Sequence, residues 1–136
     1  YQQIKNFAAG YSGLNGKVIF PGYVHDEALS LFYRSALVYV FPSLYEGFGL
    51  PPLEAMAQGC IVTCANSSSL PEVLRDAAVY FDPQNPDDIK SKIISAATDE
   101  KLRRKLRDRG YTLVREYSWD NCAHETLSVY RQAMAA

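Results

Sequence analysis

An α/β fold with a parallel sheet flanked by helices is predicted by three features of the sequence. Four short runs, Val18–Phe20, Leu37–Phe41, Cys60–Cys64 and Val79–Phe81, are apolar at nearly every position. Such runs read as strands covered on both faces. The runs alternate with stretches of helical apolar spacing. Each closes on a breaker: Pro21-Gly22, Pro42-Ser43, Asn66–Ser69 and Asp82-Pro83. Parallel strands need a helical crossover between them, so the alternation indicates βαβ units.

The elements follow in order. Tyr1–Ala9 reads as the tail of a helix with Ile4, Phe7 and Ala8 on one face, and Gly10, Gly13, Asn15 and Gly16 break it. Val18–Phe20 is the first strand. Asp26 is the expected N-cap of a helix to about Ala36, with Ala28, Leu31, Phe32 and Ala36 as its apolar face. Leu37–Phe41 is the second strand. A loop over Pro42–Leu50 leads to a helix opened by Pro51 and ending near Gly59. Cys60–Cys64 and Val79–Phe81 are strands, separated by a polar turn at Asn66–Ser69 and a short helix over Pro71–Arg75. Three helices finish the chain: Pro86–Thr98, Glu100–Tyr117 with a break at Gly110, and Trp119–Ala133. Four strands are few for a complete doubly wound sheet. The expectation is therefore one Rossmann-like domain over residues 1–136, truncated on its N-terminal side and lacking its first strand and helix.

Composition sets the limits. The 136 residues are 48% hydrophobic and 21% charged, which suits one ordinary domain. Such a chain buries roughly two-thirds of its unfolded surface and needs no staple. A net charge of −1 excludes a globally basic nucleic-acid binder. No apolar run reaches the ~18 residues of a membrane span. Three cysteines, Cys60, Cys64 and Cys122, make an odd count that argues against a disulfide framework. Cys60 and Cys64 on one strand would lie roughly 13 Å apart, too far to pair. They read as core hydrophobes, and the cytoplasm is the expected compartment. Charge is unevenly spread. Between Lys17 and Lys90, two basic residues face nine acidic ones, a local charge of −7, whereas seven of the fourteen basic residues crowd into Lys101–Arg115.

The informative stretch is Phe41-Pro42-Ser43-Leu44-Tyr45-Glu46-Gly47-Phe48-Gly49-Leu50-Pro51-Pro52-Leu53-Glu54. It follows the carboxyl end of a parallel strand, where open α/β sheets bind ligands. Gly47 and Gly49 let backbone approach a ligand closely, and the helix start after them is a natural anion site. Pro51 and Pro52 have no N–H, so the donors are those of Phe48, Gly49, Leu50 and Leu53. Two carboxylates, Glu46 and Glu54, bracket these donors. Carboxylates are poor phosphate partners but good acceptors for paired sugar hydroxyls. Backbone donors between two acids suit a nucleoside diphosphate sugar, with one acid on the ribose and the other on the transferred sugar. The plainer alternatives are a solvated loop acid at Glu46 and a favourable helix-start charge at Glu54. A glycosidase pair is weaker, since it needs the two carboxyls facing each other across one bond.

With these residues the chain closely resembles the C-terminal half of retaining glycosyltransferases of family four, which have the two-domain GT-B fold. The resemblance rests on Val18-Ile19-Phe20-Pro21-Gly22-Tyr23-Val24, on Ala36–Ser43 and on the Glu-x7-Glu motif from Glu46 to Glu54. It continues through Gly59-Cys60-Ile61-Val62, Leu70-Pro71-Glu72-Val73 and Tyr117-Ser118-Trp119. It implies that Glu46 contacts the donor sugar near the reacting centre and that Glu54 binds the ribose hydroxyls. Backbone at Phe48, Gly49 and Leu50, next to Gly47, would contact the distal phosphate and sugar. Gly22, Tyr23 and Val24 would lie beside the nucleobase. It also implies a UDP- or GDP-linked donor, transfer without a divalent metal or other cofactor, and a separate N-terminal domain that holds the acceptor. Such a parent makes polysaccharides or glycoconjugates, in the cytoplasm or peripherally at the membrane. No Asp-x-Asp metal motif occurs in the chain. The family's diphosphate-neutralising Arg and Lys lie on an earlier segment, in keeping with the local charge of −7. The fragment alone is then expected to be inactive. A non-catalytic nucleotide-sugar-binding or interaction module is the alternative.

The remaining features read more simply. The basic run from Lys101 to Arg109 is expected to be a solvated helix face, with Leu102, Leu106 and Leu113 packing inward. His25 reads as a surface histidine, and His124 has no evident metal partners. Asn66-Ser67-Ser68 matches a glycosylation acceptor, which has no use in a cytoplasmic setting. The ten tyrosines read as packing.

Overall fold

The computed structural model describes residues 1–11, 13 and 16–135. Asn15, one of the expected breakers, lies outside them. Helices α1 (Gln2–Gly10) and α2 (Asp26–Ser35) precede strand β1 (Tyr39–Phe41). Then come α3 (Leu50–Ala57), β2 (Val62–Ala65), α4 (Leu70–Leu74) and β3 (Val79–Phe81). Helices α5 (Pro86–Thr98), α6 (Glu100–Val114) and α7 (Trp119–Ala135) complete the order. The sheet is parallel in the order β1-β2-β3, with Tyr39 opposite Val62 and Thr63 opposite Val79. Two βαβ units thus share the central strand β2.

Alternation along β2 builds two cores. Val62 and Cys64 join Leu53, Met56, Leu70, Leu74, Phe81 and Leu113 in the larger cluster, between the sheet and α3, α4 and α6. Ile61, just before the strand, meets Ala96 and Leu106 in the smaller one. Cys60 and Cys64 are free thiols inside this packing. Burial pushes the Cys64 thiol up to about 12 and also raises Cys60, so both stay protonated and inert. Helix α5 starts where Asn85 accepts from the backbone N–H of Asp87 and Asp88. Asp99 caps α6 in the same way through the Leu102 N–H.

Four expectations are corrected. Val18–Phe20 is not a buried strand: it pairs with no described segment, and Ile19 is 80% exposed. Apolar character gives such a run its tendency, but only a neighbouring strand satisfies its backbone. Helix α2 turns a different face inward. Tyr33 is buried and Leu29 packs on the core, whereas Leu31 and Phe32 face out, and His25 rather than Asp26 is the N-cap. The expected apolar face of α1 is likewise uncovered, since Ile4 and Phe7 are exposed. Gly110 does not break α6. It admits α3 to close range: a Cβ there would sit 3.3 Å from Met56 Cβ and Cγ. Leu106 and Leu113 are buried and Leu102 is partly so, as the basic-helix reading expects. Among the described residues no helix is long and apolar enough to cross a membrane.

One core group is mismatched. Thr63 is fully buried in β2 and its Oγ1 has no hydrogen-bond partner among the described residues. Valine has nearly the same shape and no hydroxyl to desolvate. Thr63→Val should therefore raise stability by about 1 kcal/mol. Urea denaturation of the two proteins checks this, and a loss of stability would mean that the hydroxyl is satisfied.

Candidate functional site

All strands are parallel, so their carboxyl ends, Phe41, Ala65 and Phe81, lie along one edge of the sheet. The loops Pro42–Gly49 and Asn66–Ser69 leave from this edge, and the first holds Glu46. The second loop fixes its position. Ser68 Oγ donates to the Glu46 carbonyl at 2.7 Å and accepts from the Glu46 N–H at 3.3 Å. Ser69 Oγ donates to the same carbonyl at 2.9 Å, and Ser67 Oγ donates to the Ser43 carbonyl at 3.1 Å. Ser68 adopts a left-handed backbone, φ 52°, which these bonds help to hold.

Gly49 makes the turn from loop to helix. It is the residue before α3, with φ 93° and ψ 55°, and a Cβ on it would come within 2.7 Å of Leu70 Cδ2. Phe48, beside it, sets its ring edge-on against Tyr117 at 5.5 Å, and the Tyr117 hydroxyl is tied to the Val73 carbonyl at 2.9 Å. Pro51 and Pro52 in the first turn have no N–H. The N–H groups of Phe48, Gly49 and Leu50 find no acceptor among the described residues. These are the orphan donors expected at a helix start.

Glu54 stands on α3 with an exposed side chain, within 3.5 Å of the Tyr33 hydroxyl, which donates to its Oε2. Burial, and next the Glu54 carboxylate, raise the Tyr33 pKa, so the phenol is a neutral donor at physiological pH. Tyr33 stacks edge-on against Tyr39, whose own pKa is raised chiefly by burial. Neither Glu46 nor Glu54 joins an ion pair among the described residues. No group of three metal-ligating side chains is gathered among those residues.

The structure therefore brings Glu46, Gly47, Phe48, Gly49, Leu50 and Glu54 into one loop and helix start at the sheet edge. Among the described residues no hydrogen bond links Gly22, Tyr23 or Val24 to them. Gly22 has φ 76°, and Tyr23 is 81% exposed with its ring against His25. Sequence reasoning missed the serines and Tyr33. The serines read as a generic polar turn, and Tyr33 lay on the face of α2 that had been turned outward.

Residues 2–113 match the model of the family described as glycosyl transferases group 1. The chain belongs to this family. The transferase domain is 42% identical over 116 residues to the O-antigen chain mannosyltransferase B of Escherichia coli, across 85% of this chain and 30% of that protein. Sucrose-phosphate synthase from Thermosynechococcus elongatus superposes with a TM-score of 0.85, at 29% identity over 98% of this chain and 34% of that one. The C-terminal domain of a glycosyl transferase group 1 family protein from Francisella tularensis gives 0.71, at 31% identity over 85% and 60%. The transferase domain thus has the parallel α/β fold of the C-terminal half of a GT-B enzyme. It spans 30% of the length of the mannosyltransferase.

Proposed function

We propose that this transferase domain binds the diphosphate and sugar of a UDP- or GDP-linked donor for retaining glycosyl transfer, with the acceptor held by a second domain. The observation that carries the reading is the set of N–H groups on Phe48, Gly49 and Leu50 that find no acceptor among the described residues, flanked by Glu46 and Glu54 at the carboxyl edge of a parallel sheet. Main-chain donors at a helix start suit the distal phosphate. Glu54, one turn into α3, accepts from the ribose hydroxyls while Tyr33 holds its other side. Glu46 meets the sugar where positive charge grows as the bond from the anomeric carbon to the diphosphate oxygen breaks. The electron pair leaves with the diphosphate, the acceptor hydroxyl oxygen attacks on the same face, and its proton passes to the departing diphosphate oxygen.

The stretch between Lys17 and Lys90 carries a charge of −7, and its two arginines are engaged elsewhere, Arg34 with Gln58 and Arg75 with Glu116. The 136-residue chain should therefore bind nucleoside diphosphates only weakly. Calorimetry with UDP, GDP and ADP tests this. Weak binding of UDP or GDP is the expected result; submicromolar binding contradicts the missing cation, and no binding at millimolar ligand overturns the site. Incubated with labelled nucleotide sugars and generic acceptors, the chain alone should form no product. Transfer needs an acceptor held against the donor, and that positioning supplies a large part of the rate. Acceptor-dependent product from the pure chain would refute the two-domain reading.

A further inference from the structure

At the opposite edge of the sheet, where β2 begins, the structure gathers arginines. Arg103, Arg104 and Arg107 of α6 line an open cleft of about 230 Å³ together with one carboxylate, Glu100. The cleft is built by tertiary contacts and not by the helix alone. Arg107 Nε donates to the Gly59 carbonyl at 3.1 Å, which pins its guanidinium at the turn between α3 and β2. Arg34 of α2 reaches the same turn and donates to Gln58 Oε1 at 2.7 Å. Arg103 Nε is buried without a hydrogen-bond partner among the described residues. Glu100 lies 3.6 Å from Arg104, a long and exposed contact that leaves the other guanidinia uncompensated.

Three guanidinia around one space repel one another, and a buried N–H without an acceptor is disfavoured. A multivalent oxyanion relieves the repulsion, and the planar guanidinium fork matches the spacing of phosphate oxygens. We infer that this cleft is a phosphate-binding site, separate from the donor loop and independent of the donor reading. Its ligand carries a phosphate group with more than one negative charge or two adjacent phosphates, either free in solution or as a lipid headgroup.

Calorimetry of the 136-residue chain with inorganic pyrophosphate, and flotation with vesicles of phosphatidylglycerol and phosphatidylcholine, test it and separate the two sources. Binding in the first arm assigns a soluble phosphate compound, and binding in the second alone assigns a lipid headgroup. Arg104→Gln with Arg107→Gln should weaken the productive arm at least ~10-fold, since each lost charge-assisted contact is worth about that. Glu100→Gln should strengthen binding by removing the one repulsive carboxylate. Lys105→Gln, exposed on the same helix outside the cleft, should change it less than about twofold, as a screened surface charge does. Circular dichroism of each variant confirms its fold, and Glu100→Gln serves if the arginine variant does not fold. Binding in neither arm, binding unchanged in the arginine variant (the result expected if the anion sits at the donor loop), an equal loss in Lys105→Gln, or weaker binding in Glu100→Gln overturns the site.

Discussion

Glu46→Ala, made in the proposed two-domain transferase, should lower turnover by about 10²–10³-fold, the size expected on removing one preorganised group that stabilises developing charge. The loop should keep its shape. Its backbone at Glu46 is held by Ser68 and Ser69 through main-chain atoms, which the substitution leaves in place. The side chain is partly exposed and joins no described ion pair, so its loss should leave the melting temperature unchanged. Glu54→Ala should behave differently. A ribose contact is the same in the ground and transition states, and such a contact appears in the Michaelis constant alone. Losing a hydrogen bond to a charged group costs about 1.5–3 kcal/mol, or roughly 10- to 150-fold in donor affinity. The competing explanations predict other patterns. A solvated loop acid at Glu46 would change nothing, and a helix-start charge at Glu54 would affect stability only. Steady-state kinetics and thermal melts of both variants separate these outcomes. Equal loss of donor affinity with unchanged turnover in both would refute the assigned roles.

What the sequence disclosed depended on how local the determining physics was. The unit from β1 through α3 to β2 was legible because apolar runs, prolines and glycines act on their own neighbours, and the candidate loop lies inside that unit. Helix α5 was legible because Pro86 opens it, and the structure adds Asn85 as its cap. Residues 18–20 were misread because a strand exists only with a partner, which composition cannot supply. The face of α2 was misread because two apolar faces share one spacing. Leu29 and Tyr33 are four residues apart, and so are Ala28 and Phe32. Only the packing on α3 and the core decides between them. The hold of Ser68 and Ser69 on Glu46 spans more than twenty residues of chain, and a run of serines in a turn carries no sign of its target. The arginine cleft was half visible. Its charge was plain in the run from Lys101 to Arg109, but its contact with Gly59 was not.

Gly49→Ala should be among the most damaging single substitutions in the domain, through two separate effects. At φ 93° an L-residue is strained, which costs about 1–2 kcal/mol. The added methyl carbon would also lie 2.7 Å from Leu70 Cδ2. Leu70 is fully buried and cannot swing away without opening the core, so overpacking adds about 1–3 kcal/mol. Together these amount to about 2–5 kcal/mol out of a typical 5–15. The melting temperature should fall by roughly 10 °C, and the N–H groups of Phe48 and Leu50 should shift enough to weaken nucleotide binding. Gly47→Ala, two residues earlier, meets nothing within 4 Å and has no positive φ, so it should cost less than about 0.5 kcal/mol. The steric part can be isolated. On a Leu70→Ala background the new methyl has room, and Gly49→Ala should then cost only its backbone strain. A double-mutant cycle should therefore show a coupling of about 1 kcal/mol or more between positions 49 and 70. Additive effects would place the whole penalty in the backbone, and a melting temperature unchanged by Gly49→Ala would mean that the loop turns into α3 by another path.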